Sequence, residues 1–510
     1  MEVPPISLKL ESHQVIPCET NKKIFRTNFG ALNSSGTGTG KTYLTMAVAL
    51  VFKFSLLVIC PAQAVPMWES DTAKHGIKAV VMSYSILAGK LETINHPYLI
   101  KKDGNYYPTP ILTDLIKSKI LVVFDESQDV KNPKAYQTMA CHTITKEIIR
   151  VNNGSRIVLL SATPVDKEDL VESILKLTGI ITSDELFHFG RRENQTSGYG
   201  YSQLYSYCYK KNPELAKQFY PAVMKAANIR KSMYNLYTHI VKPQIVFSMP
   251  KPIINFAFKA KSTFYSLDQP NYQKLIKGLS ELKDAVNYNP DGTINYKRDG
   301  ITKITSSMML IENAKVDLFC RLIETALMIP HVKVIMYVWY NQTVDILMSR
   351  LEKYNPLRCD GVVPGKTRQV YRERFQEPND NYRLIIAKPT SFGRAIGLHD
   401  THGGFPRFTF INPNFKFNPI VQAAGRTYRV GTKSDVNVTL TYITDTDESN
   451  VITALSKKSE ITRNCIAAAG TNINELPDTD TGADTGTDEE DDIIPDEIPF
   501  VDKWELVYDR

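Results

Sequence analysis

The stretch Ser35-Gly36-Thr37-Gly38-Thr39-Gly40-Lys41-Thr42 puts glycines, a lysine and a hydroxyl where a triphosphate can be held. Glycines let backbone N–H groups approach phosphate oxygens, and a helix starting just after them adds positive potential. Tyr43 to Leu50 reads as that helix. In such a cradle Gly38 and Gly40 shape the loop, Lys41 reaches the β- and γ-phosphates, and the Thr42 hydroxyl holds Mg2+. Ser35 stands where the strict pattern has glycine, a place that another small residue can fill. The bland alternative, a flexible Ser/Gly/Thr linker, does not explain Lys-Thr at a helix start.

Farther along, Ile120-Leu121-Val122-Val123-Phe124 runs straight into Asp125-Glu126. At the carboxyl end of a parallel strand both carboxylates can face a nucleotide crevice. Asp125 is then a Mg2+ ligand, and Glu126 orients and deprotonates the attacking water. Ser161-Ala162-Thr163 and Gln422-Ala423-Ala424-Gly425-Arg426-Thr427-Tyr428-Arg429 complete an ordered series of four motifs. Arg426 and Arg429, three apart on an expected helix, share a face. Carried by a second domain, they can reach the γ-phosphate and stabilise its transition-state charge when the domains close.

These motifs need strands and helices to hold them. Leu56–Cys60, Ala79–Met82, Ile120–Phe124 and Arg156–Leu160 are compact apolar runs, as expected of strands buried on both faces of a parallel sheet. The pattern returns at Val332–Tyr337, Arg383–Ala387, Arg407–Ile411 and Val436–Tyr442. Between the two α/β pieces lies a Tyr-, Lys- and Asn-rich stretch with helical segments at Pro221–Tyr237 and Tyr272–Val286. Its tyrosines Tyr201, Tyr205, Tyr207 and Tyr209, beside Lys210 and Lys211, read as packed or surface residues in preference to a base-stacking platform. Residues 476–498 are rich in Asp, Thr, Gly and Pro and are expected to be disordered. Trp504–Tyr508 can dock on something.

Composition sets outer bounds. The 510 residues allow two to four domains, and 43% hydrophobic content supports real cores. Seven cysteines show no CxxC spacing, so neither a zinc site nor a disulfide framework is indicated, and a reducing intracellular compartment is expected. Histidines such as His75, His96 and His188 show no metal spacing. The N-terminus lacks a signal-peptide pattern, and no apolar run is long enough to span a membrane, so a soluble protein is expected. Residues 471–510 carry 14 acidic and 2 basic side chains, while residues 1–470 carry 59 basic and 40 acidic, a net of +19. A basic body points to a polyanion, and the acidic tail either solubilises the chain or competes with that polyanion.

Taken together, these residues resemble the superfamily 2 helicases and translocases, particularly the Swi/Snf-type DNA-dependent ATPases and their large-DNA-virus relatives. The resemblance covers roughly residues 8–175 and 305–465. It implies an α/β fold of two RecA-like P-loop domains with a mainly helical insertion and a disordered acidic C-terminal tail. The expected divisions are 1–175, 176–305, 306–470 and 471–510. It also implies roles for further residues. Gln14 in Leu10-Glu11-Ser12-His13-Gln14 would read adenine. Pro61, in Cys60-Pro61 followed by Trp68-Glu69, and the Ser83-Tyr84 turn would contact nucleic acid. Ser161, Ala162 and Thr163 would link hydrolysis to strand movement. Ser127 and Gln128 replace Ala and His of the family's acidic motif, which is followed here by Lys131-Asn132. Lys333–Tyr340 is similar to motif IV. Thr390, with Gly393 and Gly397, occupies a nucleic-acid-contacting motif V region. Phe417-Asn418-Pro419 is similar to a Trp-Asn-Pro element, and Gln422, Gly425, Arg426 and Arg429 match the last catalytic motif.

The implied activity is ATP hydrolysis with Mg2+, stimulated by nucleic acid and used for movement along DNA. Duplex DNA is the preferred track, with transcription, replication or chromatin proteins as partners. An RNA helicase or viral transcription-associated ATPase is one alternative. A scaffold that binds nucleotide without turnover is another, and the intact Lys41, Asp125, Glu126, Arg426 and Arg429 argue against it. A P-loop kinase would not need the Ser-Ala-Thr and Gln-Gly-Arg-Arg elements.

Overall fold

Alternate residues of the apolar runs face opposite ways, and two all-parallel sheets result. The computed structural model describes residues 8–466, except 37, 90–93, 95, 190–193, 196–198, 251–257, 266, 291, 298–299, 393–396, 430 and 444–445, and also describes 505–507. The first sheet comprises β1 (Gly30–Asn33), β2 (Ser55–Cys60), β3 (Ala79–Ser83), β4 (Ile120–Asp125), β5 (Arg156–Leu160) and β6 (Val246–Phe247). Their order is β6-β1-β5-β4-β2-β3, and every pairing is parallel. Leu57, Ile59, Val122 and Phe124 enter the core on one face, and Leu56, Val58, Leu121 and Val123 the core on the other. A strand covered on both faces has no polar side, which is why Ile120–Phe124 reads as an unbroken apolar run. Truncating one such buried residue, Phe124→Ala, would cost about 3–5 kcal/mol.

The second sheet comprises β7 (Phe258–Tyr265), β8 (Lys333–Tyr337), β9 (Leu357–Cys359), β10 (Leu384–Ala387), β11 (Arg407–Ile411), β12 (Val436–Ile443) and β13 (Glu505–Val507). Its order is β9-β10-β8-β11-β12-β7-β13, again all parallel. The expected α/β class and its eight strand segments are present. The short β1, β6 and β9, together with β7, were not legible as strands.

The stretch read as one insertion divides between the two lobes. Helices Gly200–Lys211 and Ala226–Leu236 place Tyr201, Leu204, Met233 and Leu236 in the first sheet's core, and β6 joins that sheet. Helices Gln269–Ala285 and Gly300–Ala314 place Leu275, Leu279, Leu282 and Ile311 in the second sheet's core, and β7 joins that one. The expected helix at Pro221 starts only at Ala226. In the Tyr-rich helix the hydroxyls of Tyr201 and Ser232 lie 2.7 Å apart, and Tyr207 donates to Asn28 Oδ1 at 2.8 Å. Two of the four tyrosines are thus committed to packing. Of the C-terminal segment expected to dock, Glu505–Val507 lies beside β7 as an edge strand. The rest of the tail, 471–504 and 508–510, lies outside the described residues. Among the described residues no helix is long and apolar enough to cross a membrane.

Strand order positions the motifs. The phosphate loop follows β1, the acidic pair ends β4, and β5 lies between them. Ser161-Ala162-Thr163, which follows β5, is therefore wedged between cradle and acids, and Ser161 N donates to Asn33 O at 3.1 Å.

Candidate active site

The loop after β1 turns into helix Lys41–Phe52 through Gly40, whose φ of +85° is a left-handed value suited to glycine. A Cβ at Gly40 would lie 2.4 Å from Gln14 Nε2, so the position is closed to side chains on two counts. Gly38 has φ +80°, and a Cβ there would meet Arg429 Cγ at 3.1 Å. The second lobe thus already touches the loop. Lys41 Nζ donates to Ser35 O at 2.9 Å and Gly36 O at 2.8 Å, contacts a phosphate would have to displace. Thr42 sits in the helix's first turn and is half-buried. Ser35 explains its own departure from glycine. Its hydroxyl donates to Asn33 Oδ1 at 2.5 Å and accepts from Met249 N at 2.8 Å, tying the loop's start to the chain beyond β6.

Gln14 lies against the phosphate loop. Its Nε2 points at the loop carbonyls of Thr39 (3.3 Å) and Gly40 (3.4 Å), and its Oε1 accepts from Glu11 N at 3.1 Å. One end of the amide braces the phosphate loop and the other caps the start of its own helix.

Asp125 is buried at the end of β4. Its Oδ2 accepts from Trp68 Nε1 at 2.8 Å and its Oδ1 from Glu126 N at 3.0 Å. Burial first and the Glu126 charge second push its carboxyl up to about 6, with Trp68 and Lys41 pulling the other way. A desolvated carboxylate under this strain suits a hard divalent cation. Glu126 itself adopts φ +51° and ψ +52°, an uncommon region for a residue with a side chain. The turn lets its Oε2 accept from Gln128 Nε2 at 2.5 Å and from Gln422 Nε2 at 3.3 Å. Gln128 Oε1 in turn accepts from Ser161 Oγ at 2.5 Å. Glutamine in the fourth position of the acidic motif therefore bridges the acids to the Ser-Ala-Thr element.

The second lobe supplies Gln422 from helix Phe417–Ala424. The two arginines are not on that helix. It stops at Gly425, where the backbone tightens so that Arg426 N donates to Ala423 O at 3.1 Å. Arg426 and Arg429 follow in the turn and still reach the first lobe. Arg426 is 2% exposed, and Arg429 Nε donates to Gly425 O at 3.0 Å. Burial first, then the neighbouring Arg426, lower the Arg429 guanidinium to about 9. The Lys41 ammonium is lowered by burial above all, with Glu126 and Asp125 raising it and Arg429 and Arg426 lowering it. Three cations and two carboxylates from two sheets thus face one small volume, an arrangement that can hold a polyanion with its metal and polarise it.

No family model matches the chain. A protein of Acanthamoeba polyphaga mimivirus, named as an ATP-dependent RNA helicase, is 23% identical over 444 residues, covering 84% of this chain and 78% of its own. The DNA repair and recombination protein RAD54 of Saccharomyces cerevisiae is 26% identical over 212 residues. The ATP-dependent helicase FUN30 of the same yeast is 25% identical over 229 residues. By sequence the chain is similar to Swi/Snf-type superfamily 2 ATPases. The matched regions are 41% and 43% of this chain but only 22% of RAD54 and 20% of FUN30. A Sulfolobus solfataricus SWI2/SNF2 ATPase core in complex with dsDNA aligns over 92% of this chain and 99% of its own at 15% identity, with a TM-score of 0.31. The two lobes are defined by the two separate parallel sheets.

Four residues were expected to contact nucleic acid in such a relative. Thr390 is exposed in the short helix Pro389–Phe392, and Gly393 lies outside the described residues. Pro61 is buried at the end of β2. Ser83 and Tyr84 are buried at the end of β3. Ser83 Oγ accepts from Ile86 N at 3.2 Å as a helix cap, and Tyr84, 3% exposed, donates from its hydroxyl to Asp125 O at 2.8 Å. A turn adjoining a buried strand end is taken up by capping and by support of the acidic motif. Two working residues escaped sequence reasoning. Trp68 was noted only as part of a resemblance, yet its fully buried indole holds Asp125. Lys131 makes an ion pair with Asp166 at 2.6 Å, just past the Ser-Ala-Thr element. Nothing local signals either pairing.

Proposed function

We propose that this chain is an ATP-dependent nucleic-acid motor that hydrolyses ATP between its two lobes and moves along DNA, with duplex DNA the preferred track. The observation that carries the reading is the convergence of Lys41, Asp125 and Glu126 from one sheet with Arg426 and Arg429 from the other. Lys41 would hold the β- and γ-phosphates against the loop. The Thr42 hydroxyl and Asp125 carboxylate, both hard oxygen donors, would hold Mg2+, which supplies charge neutralisation on the phosphates. Glu126, kept in place by Gln128 and Gln422, orients water and takes its proton. Arg429 and Arg426 stabilise charge on the transferred phosphoryl group and do so only while the lobes are together, coupling turnover to lobe movement. The basic body, net +19 over residues 1–470, supplies attraction for a nucleic-acid backbone.

An RNA track is the second reading, favoured by the name of the mimivirus relative that spans most of this chain. The steady-state ATPase rate without nucleic acid and with single- or double-stranded DNA or RNA separates the two. Glu126→Gln serves as a control that keeps ATP binding and loses turnover. Strong stimulation by duplex DNA supports the first reading, and stimulation by RNA the second. No turnover under any condition withdraws the motor.

A further inference from the structure

Helix Phe417–Ala424 reaches the first lobe twice. Gln422 Nε2 donates to the Glu126 carboxylate at 3.3 Å, and Asn418 Nδ2 donates to Thr163 O at 3.3 Å. The two side chains are four residues apart and so lie one turn apart on the same face. Inside the first lobe, their two targets are already joined. Glu126 accepts from Gln128, whose Oε1 accepts from Ser161 Oγ, and that same oxygen accepts from Thr163 N at 3.0 Å. The contacts close a ring: Glu126, Gln128, Ser161, Thr163, Asn418, one helical turn, Gln422, and back to Glu126. One hydrogen bond between lobes would leave the helix free to pivot. Two bonds a turn apart fix its direction, and they do so through the carboxylate that would activate water.

We propose that Asn418 is a positioning residue for hydrolysis: its bond to the Thr163 carbonyl sets the angle at which Gln422 meets Glu126, so that Glu126 is aligned only when the lobes are docked. Asn418 is 7% exposed and carries a donor that finds its partner across 255 positions of sequence, on the other lobe. A residue that only filled space there would need no amide. The inference rests on the site being an ATPase.

The test uses the full chain with Asn418→Ala and Asn418→Leu, the second keeping side-chain volume without the donor. Both should lower kcat for ATP by about two- to tenfold, the range a neutral hydrogen bond spans, with KM within twofold of the parent. In a Ser161→Ala background, where the ring is already open, Asn418→Ala should cost less than it does alone. Hydrogen exchange of the backbone amides at 161–166 should rise in both Asn418 variants, with or without turnover. Normal kcat in Asn418→Leu, or full additivity with Ser161→Ala, would overturn the ring. Unchanged exchange would overturn it even if the protein proved not to hydrolyse ATP. Absent turnover in the parent with raised exchange in the variants would remove the ATPase reading while keeping the cross-lobe contact.

Discussion

Trp68→Phe removes the indole N–H that reaches Asp125, together with part of a ring that fills a fully buried site. The indole sits fully buried in helix Val65–Lys74 and its N–H reaches Asp125 Oδ2 at 2.8 Å. A buried hydrogen bond to a charged acceptor is worth about 1.5–3 kcal/mol. That energy favours the ionised carboxylate, so its loss raises the Asp125 pKa further, by about one to two pH units at 1.36 kcal/mol each. The starting point is about 6, already raised by burial and by Glu126. At pH 7 the ionised fraction would then fall from about nine-tenths to between about one-half and one-tenth. Because Mg2+ needs the ionised form, ATPase at pH 7 and limiting Mg2+ should drop about two- to tenfold. The sign is specific. The acid limb of the rate–pH profile moves upward, and the ratio of variant to parent rates approaches one by about pH 9, where both Asp125 carboxyls are mostly ionised. A profile measured from pH 5.5 to 9 at fixed Mg2+, with the melting temperature of each protein at every pH, decides the matter. A loss of equal size at all pH values in a stably folded variant would refute the reasoning, because the defect would then lie in packing and not in ionisation.

Two further outcomes are expected. Arg429→Ala should lower kcat by about 10^3 or more with ATP affinity little changed, as for a group that meets charge only in the transition state. A loss confined to affinity, read by nucleotide titration, would make Arg429 a ground-state contact. Replacing the Asp and Glu residues of 471–500 by Asn and Gln, which spares the edge strand Glu505–Val507, should tighten DNA binding at 50 mM salt and matter less at 300 mM. Identical binding curves at both salt levels would leave the tail no part in binding.

Each local chemistry in this chain was legible because it depends on near neighbours. A glycine with positive φ followed by a helix start is written in Gly40-Lys41-Thr42, and a strand buried on both faces is written in Ile120–Phe124. The second α/β piece showed itself the same way. The short β1, β6 and β9 have too few residues to establish a period, and what makes them strands is the neighbour each pairs with. The division of residues 176–305 between two lobes was likewise invisible, since helix amphipathicity marks an apolar face without naming the sheet it covers. The site shows the same limit. That Asp125 and Glu126 are acids at a strand end is a sequence fact. That Trp68 holds one and Gln128 and Gln422 the other follows from the order β1-β5-β4-β2 and from lobe contact. The same order presses Tyr84 beneath Asp125 and turns Gln14 onto the phosphate loop. Arg426 and Arg429 owe their place to a helix that ends at Gly425 and to the docking of one sheet on another. The sequence by itself determined which groups can bind phosphate, metal and water, because those capacities belong to residue types in short runs. Tertiary structure alone decided which groups meet, because the partners are tens to hundreds of positions apart and are brought together only by strand order and lobe closure.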